Sequence, residues 1–354
     1  MNVPNSDLLL ERIPPSSRTM ILASFATDLA QGNTVKGKPV RSTTIEGYLR
    51  HVATLLTQFY DRDPRYDRVG DQKMSPSIHA VLAEVKRFEK MPDRRDPYTL
   101  DMHDTFRQMN DENNAPFLGL HRALEDWFLL GLYLGPRLQE WAQEEQHKEL
   151  SNPAIADNGT LRAFTLLDIL LFDEKGRPVS IETWLNDPTA VAYAIIVFSW
   201  QKNGEHGEKR RLDKNIFSPA RCGLTALRNI LIRYNRLVGI SDHKTPLAVF
   251  RGSHKTLFVH STVISKTLCT IAKRTYSLTT AELNKHYRYT SHSLRVGACV
   301  LLHSAGVNAV RIKFLLRWKS DSFMLYLRNV AQLSNVQNQA ISMVANGSAI
   351  PIVF

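Results

Sequence analysis

Residues 289–330 read YTSHSLRVGACVLLHSAGVNAVRIKFLLRWKSDSFMLYLRNV, and they gather four kinds of reactive side chain within a short span. His292 and Arg295 stand three apart, so any helix that carries them presents both on one face. Arg317, Trp318 and Tyr326 follow. An imidazole takes or gives a proton near neutral pH. A guanidinium stays charged, and its planar fork suits phosphate oxygens. An indole N–H can only donate. A phenol, with a pKa near about 10, becomes a nucleophile once its proton has somewhere to go.

Two helices must deliver these groups. Val296, Val300 and Leu301 continue the HxLR face at helical spacing, Gly306 breaks that helix, and a second is expected over residues 309–316. Upstream, an apolar helix over 118–135 ends at Gly135, and Arg137 and Glu140 complete a GxRxxE pattern. On its own, an arginine after a helix-ending glycine is an ordinary surface residue. Beside the C-terminal set it becomes a candidate. A strand is expected over 164–172, a turn at 174–176, and a β-rich run over 190–200 from which KNGEHGEKRRL turns back; Lys202 and Lys209 sit in this hairpin. Helices over 101–109, 223–239 and 261–275 complete this part. The last two place Arg228, Arg233, Arg236, Lys266, Lys273 and Arg274 on the polar face, and a loop or short strand over 245–252 separates them.

The N-terminal region shows only helical periodicity. Met20, Ile21, Phe25 and Leu29 make one stripe. A second, Ile45, Tyr48, Leu49, Val52, Leu55, Leu56 and Phe59, follows an N-cap at Ser42 or Thr43. Ile78, Val81, Leu82, Val85 and Phe88 make a third. Residues 1–16 are expected to be poorly ordered, 17–92 to form a helical bundle, and the proline-bounded, charged stretch 93–97 to link it to a domain over 98–335. Residues 331–345 could add a helix, and the apolar tail within 336–354 could dock on a neighbouring copy or on its own core.

The 354 residues allow one or two domains, and 43% hydrophobic with 22% charged residues is ordinary globular usage. No apolar run has the length of a membrane span. The N-terminus lacks the basic start of a signal peptide, and an intracellular protein is expected, nuclear if eukaryotic and cytoplasmic or nucleoid-associated if prokaryotic. Cys222, Cys269 and Cys299 give neither a disulfide framework nor a zinc pattern. The net charge of +11 is localised: residues 202–295 hold 18 Lys and Arg against 5 Asp and Glu, a surplus of 13, and the rest of the chain is slightly acidic. Such a concentration beside a candidate phosphate site suggests a nucleic-acid surface. HExxH, Walker and GxSxG patterns and a paired acidic site for magnesium are all missing from the sequence.

The ordered set Arg137, Lys202, His292, Arg295, Trp318 and Tyr326, with the LLHSAG helix between, resembles the tyrosine recombinases over most of residues 17–335. The block TTIEGYLR resembles their N-terminal core-binding domain, and WKSDSFMLYLR is most similar to recombinases of eukaryotic mobile elements or their viruses. The resemblance implies an α+β, mainly helical protein: a core-binding bundle, then a mixed α/β catalytic domain with a small antiparallel sheet. It implies site-specific cleavage and rejoining of duplex DNA through a 3′-phosphotyrosyl bond on Tyr326. Arg137 and Arg295 would clamp the scissile phosphate, with His292 as acid/base, Trp318 as donor and Lys202 (Lys209 in reserve) protonating the leaving oxygen. Arg50, Lys209, Arg210, Arg211, Arg228, Lys266, Lys273 and Arg274 would face the DNA. It further implies a tetramer on DNA and neither cofactor nor metal. Three departures stand out. Trp318 occupies a position that is histidine in many members, the eight-residue interval to Tyr326 is one shorter than in many, and the Arg137–Lys202 interval is long. Two alternatives stay open: a type IB topoisomerase-like activity, and a catalytically silent DNA-binding protein.

Overall fold

The structure is a computed structural model that describes residues 13–34, 37–58, 63–66, 73–89, 95–202, 204–284 and 288–327. The helix expected over 331–345, the tail at 336–354 and the first twelve residues lie outside them. The chain divides into two compact units, residues 1–92 and 93–354. Among the described residues no helix is long and apolar enough to cross a membrane.

The first unit consists, among its described residues, of α1 (Pro15–Gln31), α2 (Ser42–Thr57) and α3 (Pro76–Phe88). Proline opens α1 and α3, where its fixed φ suits the first turn and its missing N–H costs nothing. Leu22, Ala26, Leu29, Ile45, Leu49 and Ile78 form the core. The buried face of α1 therefore differs from the expected stripe, because Met20 is half exposed at 50% while Ala23 and Ala26 point inward. Close helix packing favours alanine here, and alanine gives little periodic signal. Arg41, not Ser42 or Thr43, is the N-cap of α2, without a side-chain bond; the Ser42 N–H instead donates to the Glu89 carboxylate.

The second unit opens with α4 (Leu100–Glu112), α5 (Leu120–Leu134) and the single turn α6 (Leu138–Trp141). Then come β1 (Ile169–Phe172), β2 (Pro178–Val179), α7 (Ile181–Asn186), β3 (Tyr193–Phe198) and β4 (Glu208–Asp213). The unit continues with α8 (Gly223–Leu237), β5 (Val249–Arg251), β6 (Thr256–Phe258), α9 (Ser261–Tyr276), α10 (Thr280–Asn284), α11 (His292–Ser304), α12 (Ala309–Leu315) and α13 (Met324–Leu327). The strands form an antiparallel sheet in the order β2-β1-β3-β4 and a separate β5-β6 hairpin. This mainly helical architecture with a small antiparallel sheet is the expected fold class.

The core of this unit is built on α5, which is apolar on nearly every side and packs against α4, α8 and α11. Gly131 lets Leu294 of α11 approach, since a Cβ there would lie 3.3 Å from it. On β3 the alternate residues Ala194, Ile196 and Phe198 point inward. The expected strand over 164–172 is only half strand. Thr165 and Asp168 form a reciprocal cap that winds residues 166–168 into a 3-10 turn before β1 begins. Residues 245–252 contain β5, whose partner β6 the sequence reading did not anticipate, and α7 was also missed; Ser180 starts it by accepting from the Thr183 N–H at 3.0 Å.

Candidate active site

The first turn of α11 carries His292 and Arg295, and its start is pinned from outside. The Tyr98 N–H donates to the Ser293 carbonyl at 2.9 Å, and Ser293 Oγ accepts from the Thr290 N–H at 3.1 Å. One turn on, Gly297 permits the approach: a Cβ there would lie 2.1 Å from the Tyr98 carbonyl oxygen.

Beyond α11, Gly306 at φ +79° ends the helix, and Asn308 caps α12 by accepting from the Arg311 N–H at 2.9 Å. From Trp318 to Tyr326 the chain is not one helix. A 3-10 turn, Asp321–Phe323, leads into α13, and Phe323 and Leu327 anchor it on Ala298, Cys299, Ile312 and Leu316. The short Trp–Tyr interval thus sets no helical phase, since a turn intervenes. Tyr326 Oη comes to 2.9 Å from His292 Nε2. The Trp318 ring lies 6.4 Å from that of His292 and 5.9 Å from that of Tyr326, so the three aromatics form one cluster.

Two guanidinium groups border the cluster. Arg295 is 2% exposed and sits 4.4 Å below the Trp318 ring. Its Nη1 donates to the Gly135 carbonyl and its Nη2 to the carbonyls of Leu316 and Arg317, the last at 3.2 Å. Three of its five N–H groups are thereby committed to holding α5, α12 and α11 together. Arg137, the N-cap of α6, is more open: its Nη1 donates to Glu140 Oε1 at 2.9 Å and its backbone N–H to Oε2 at 2.8 Å. Gly135 makes the turn at φ +53° that places Arg137 here, and a Cβ on it would lie 2.7 Å from Leu316.

Burial, then the charges of Arg295, Arg95 and Arg137, push the His292 imidazole down to about 4, so it is neutral at physiological pH. Burial and its cationic neighbours Arg137 and Arg317 lower Arg295 to about 9, and it too keeps its physiological charge state, the cation. The Trp318 indole N–H is buried with no hydrogen-bond partner among the described residues. A donor left so costs about 1–3 kcal/mol unless a ligand takes it up.

Arg137, His292, Arg295, Trp318 and Tyr326 are therefore brought together. Lys202 and Lys209 are exposed on the β3–β4 hairpin, and among the described residues neither forms a side-chain hydrogen bond or ion pair with that cluster. The hairpin itself is tied to the chain on either side of Trp318: Lys319 pairs with Glu205 at 3.1 Å, and Arg210 Nε donates to the Leu315 carbonyl at 3.0 Å.

The expected DNA-facing cations divide. Lys266 and Lys273 are exposed, and so is Arg50, 3.8 Å from Glu46. Arg211 lies over the Tyr193 ring and pairs with Asp213, and Arg274 pairs with Glu112. Arg228 and Arg210 are engaged within the protein. Arg228 caps the end of α7, donating to the Trp184 and Leu185 carbonyls, and Arg210 holds the end of α12. Arg233 is also not on a polar face. It is 1% exposed and paired with buried Asp126 at 2.7 Å. Helical periodicity could not separate these roles, because a long cationic side chain reaches a carbonyl on another element as easily as it reaches solvent.

Two residues that the motifs contain, but to which the sequence assigns no role, join the site. Glu140 is shared by Arg137 and by Arg317, whose Nη2 donates to Oε2 at 3.0 Å. Arg317 itself adopts φ +56° and is buried. Its place directly before Trp318 puts it in the C-terminal set, but nothing in the sequence shows that its side chain is buried on Glu140.

No family model matches the sequence, and no curated protein matches it. Solved structures similar to the chain include the Tn1549 transposon integrase in complex with transposon right end DNA, at 12% identity and a TM-score of 0.46, covering 97% of this chain and 95% of that one. Another is the XerH site-specific recombinase in a post-cleavage complex with a palindromic difH substrate, at 12% identity and a TM-score of 0.44, covering 91% and 71%.

Proposed function

We propose that this chain cleaves and rejoins DNA strands without a metal, as tyrosine recombinases do, through a transient phosphotyrosyl bond on Tyr326. The observation that carries the reading is the 2.9 Å contact between Tyr326 Oη and the Nε2 of a neutral imidazole. With its proton on Nδ1, His292 accepts the phenol's proton as Oη attacks phosphorus. The Oη–P bond forms and the bond from phosphorus to the 5′ oxygen breaks. Negative charge growing on the non-bridging oxygens is met by Arg137, by the uncommitted N–H groups of Arg295 and by the Trp318 indole N–H. Lys202, on the hairpin, gives the 5′ oxygen its proton. The phosphotyrosyl bond keeps the energy of the one it replaced, so a 5′ hydroxyl can reverse the step without ATP. Exchange between sites would have the chain act as a tetramer on duplex DNA, with residues 17–92 as the core-binding part.

A second reading, a binding protein that has lost catalysis, draws on the engagement of Arg295 with three backbone carbonyls. One experiment separates the two. The protein is mixed with nicked duplexes of randomised sequence, denatured, and assayed for protein attached to DNA; the nick lets the short downstream fragment diffuse away and traps the intermediate. The expected outcome is an adduct through a 3′ phosphate on Tyr326, absent in Tyr326→Phe. Tight DNA binding with no adduct from either protein would establish the silent reading in its place.

A further inference from the structure

Arg317 takes no part in the chemistry above, yet its side chain and that of Glu140 are both 0% exposed. The Arg317 Cζ lies 3.4 Å over the ring of Phe198, the last residue of β3, four residues before Lys202. Nη1 donates to the Leu134 carbonyl at 3.0 Å, next to the Gly135 turn. Nη2 donates to the same Glu140 oxygen that accepts the Arg137 backbone N–H. Nε lies 3.9 Å from the Glu208 carboxylate, within reach of its charge but too far for a hydrogen bond. The Arg317 carbonyl accepts from Arg295, and the next residue is Trp318. One buried guanidinium thus touches the α5 end, the Arg137 turn and the hairpin strand, while the backbone of the same residue leads directly into Trp318. Its backbone lies in the left-handed region that favours glycine, so a side chain here is held against a local preference.

We propose that Arg317 is a positioning residue that aims Arg137 at the scissile phosphate through the Glu140 carboxylate they share, and Trp318 through the backbone that directly joins the two residues. The inference rests on the reading of Tyr326 as nucleophile. Without Arg317, Glu140 has Arg137 as its remaining cation, and the Arg137 fork is drawn inward, away from substrate. Misplacing a charge-stabilising group by about 1 Å can cost on the order of 100-fold in rate.

Arg317→Gly tests this, because glycine accepts the same backbone while removing the guanidinium. Single-turnover adduct formation is measured on two nicked duplexes containing the site selected by the wild type, one with a phosphodiester and one with an uncharged methylphosphonate at the scissile position. Arg137 acts on the charge that the methylphosphonate lacks. The variant should therefore lose about 100-fold on the phosphodiester and far less on the methylphosphonate, as Arg137→Ala should. Equal losses on both substrates, or no loss, would overturn the proposal. Arg317→Lys replaces the glycine variant if circular dichroism shows that variant unfolded. A wild type that forms no adduct would sink the Tyr326 reading. The Trp318 indole N–H resonance, assigned by its loss in Trp318→Phe, then decides for Arg317: a shifted or split signal in the variant upholds the positioning, and an unchanged single signal ends it.

Discussion

At His292 a shifted proton affinity has two consequences of opposite use to the molecule. Burial and the cations Arg295, Arg95 and Arg137 hold the native imidazole at about 4, against 6.5 for an ordinary histidine. As the proposed base it needs to be neutral, so adduct formation should stay level from about pH 8 to about pH 5 and fall as pH drops through about 4. A steep loss centred near about 6.5 would mean that the imidazole is not held down. Stability runs the same way. Between the native and ordinary values the unfolded chain binds more protons than the folded one, so folding stability falls as pH falls across that window. In urea titrations, His292→Gln should lose less stability on acidification than the wild type. Arg317 shows a different residue-scale compromise: its left-handed backbone costs about 1–2 kcal/mol, offset by the bonds its guanidinium makes to the Leu134 carbonyl and Glu140.

Among the elements, α11 matters most, because it carries His292 and Arg295 while packing on α5 and on the chain at Tyr98. Its seat depends on one missing atom. Gly297→Ala would put a Cβ 2.1 Å from the Tyr98 carbonyl oxygen, which is backbone and cannot swing aside. The substitution should cost at least about 2–3 kcal/mol by denaturant unfolding and should reduce adduct formation even in the fraction that stays folded. The existence and type of most helices were legible beforehand, since long apolar stripes at helical spacing over 118–135 or 292–304 admit few alternatives. Short elements were not. The helix α7 and the β5-β6 hairpin are too brief for periodicity to register, and residues 166–168 follow a local cap rather than a strand pattern.

For the molecule as a whole, the localised charge sets how it should meet a polyanion. The surplus of 13 positive charges over residues 202–295 does not all face solvent. Arg210, Arg228, Arg233 and Arg295 are spent on carbonyls and a carboxylate inside the second unit. Lys202, Lys209, Lys266 and Lys273 are exposed. If each neutralises one phosphate, together they contribute about −3 to −4 to the slope of log affinity against log salt. Changing all four to glutamine should flatten the slope by that amount in fluorescence titrations of duplex DNA. Arg228→Gln should leave the slope unchanged and lower the melting temperature.

The sequence alone determined which groups exist and in what order: a guanidinium after a helix end, a helix starting with imidazole and guanidinium, an indole, then a phenol. Residue type and periodicity are local properties, so they carry that much. Only the tertiary structure decided which cations are exposed and which are held inside, because that depends on carbonyls and carboxylates contributed from distant parts of the chain. Glu140 meets Arg317 across 177 positions and Arg295 meets Gly135 across 160. The place of Tyr326 beside His292 likewise depends on the tertiary structure: a 3-10 turn anchored by Phe323 replaced the continuous helix whose phase the Trp318–Tyr326 spacing would have fixed.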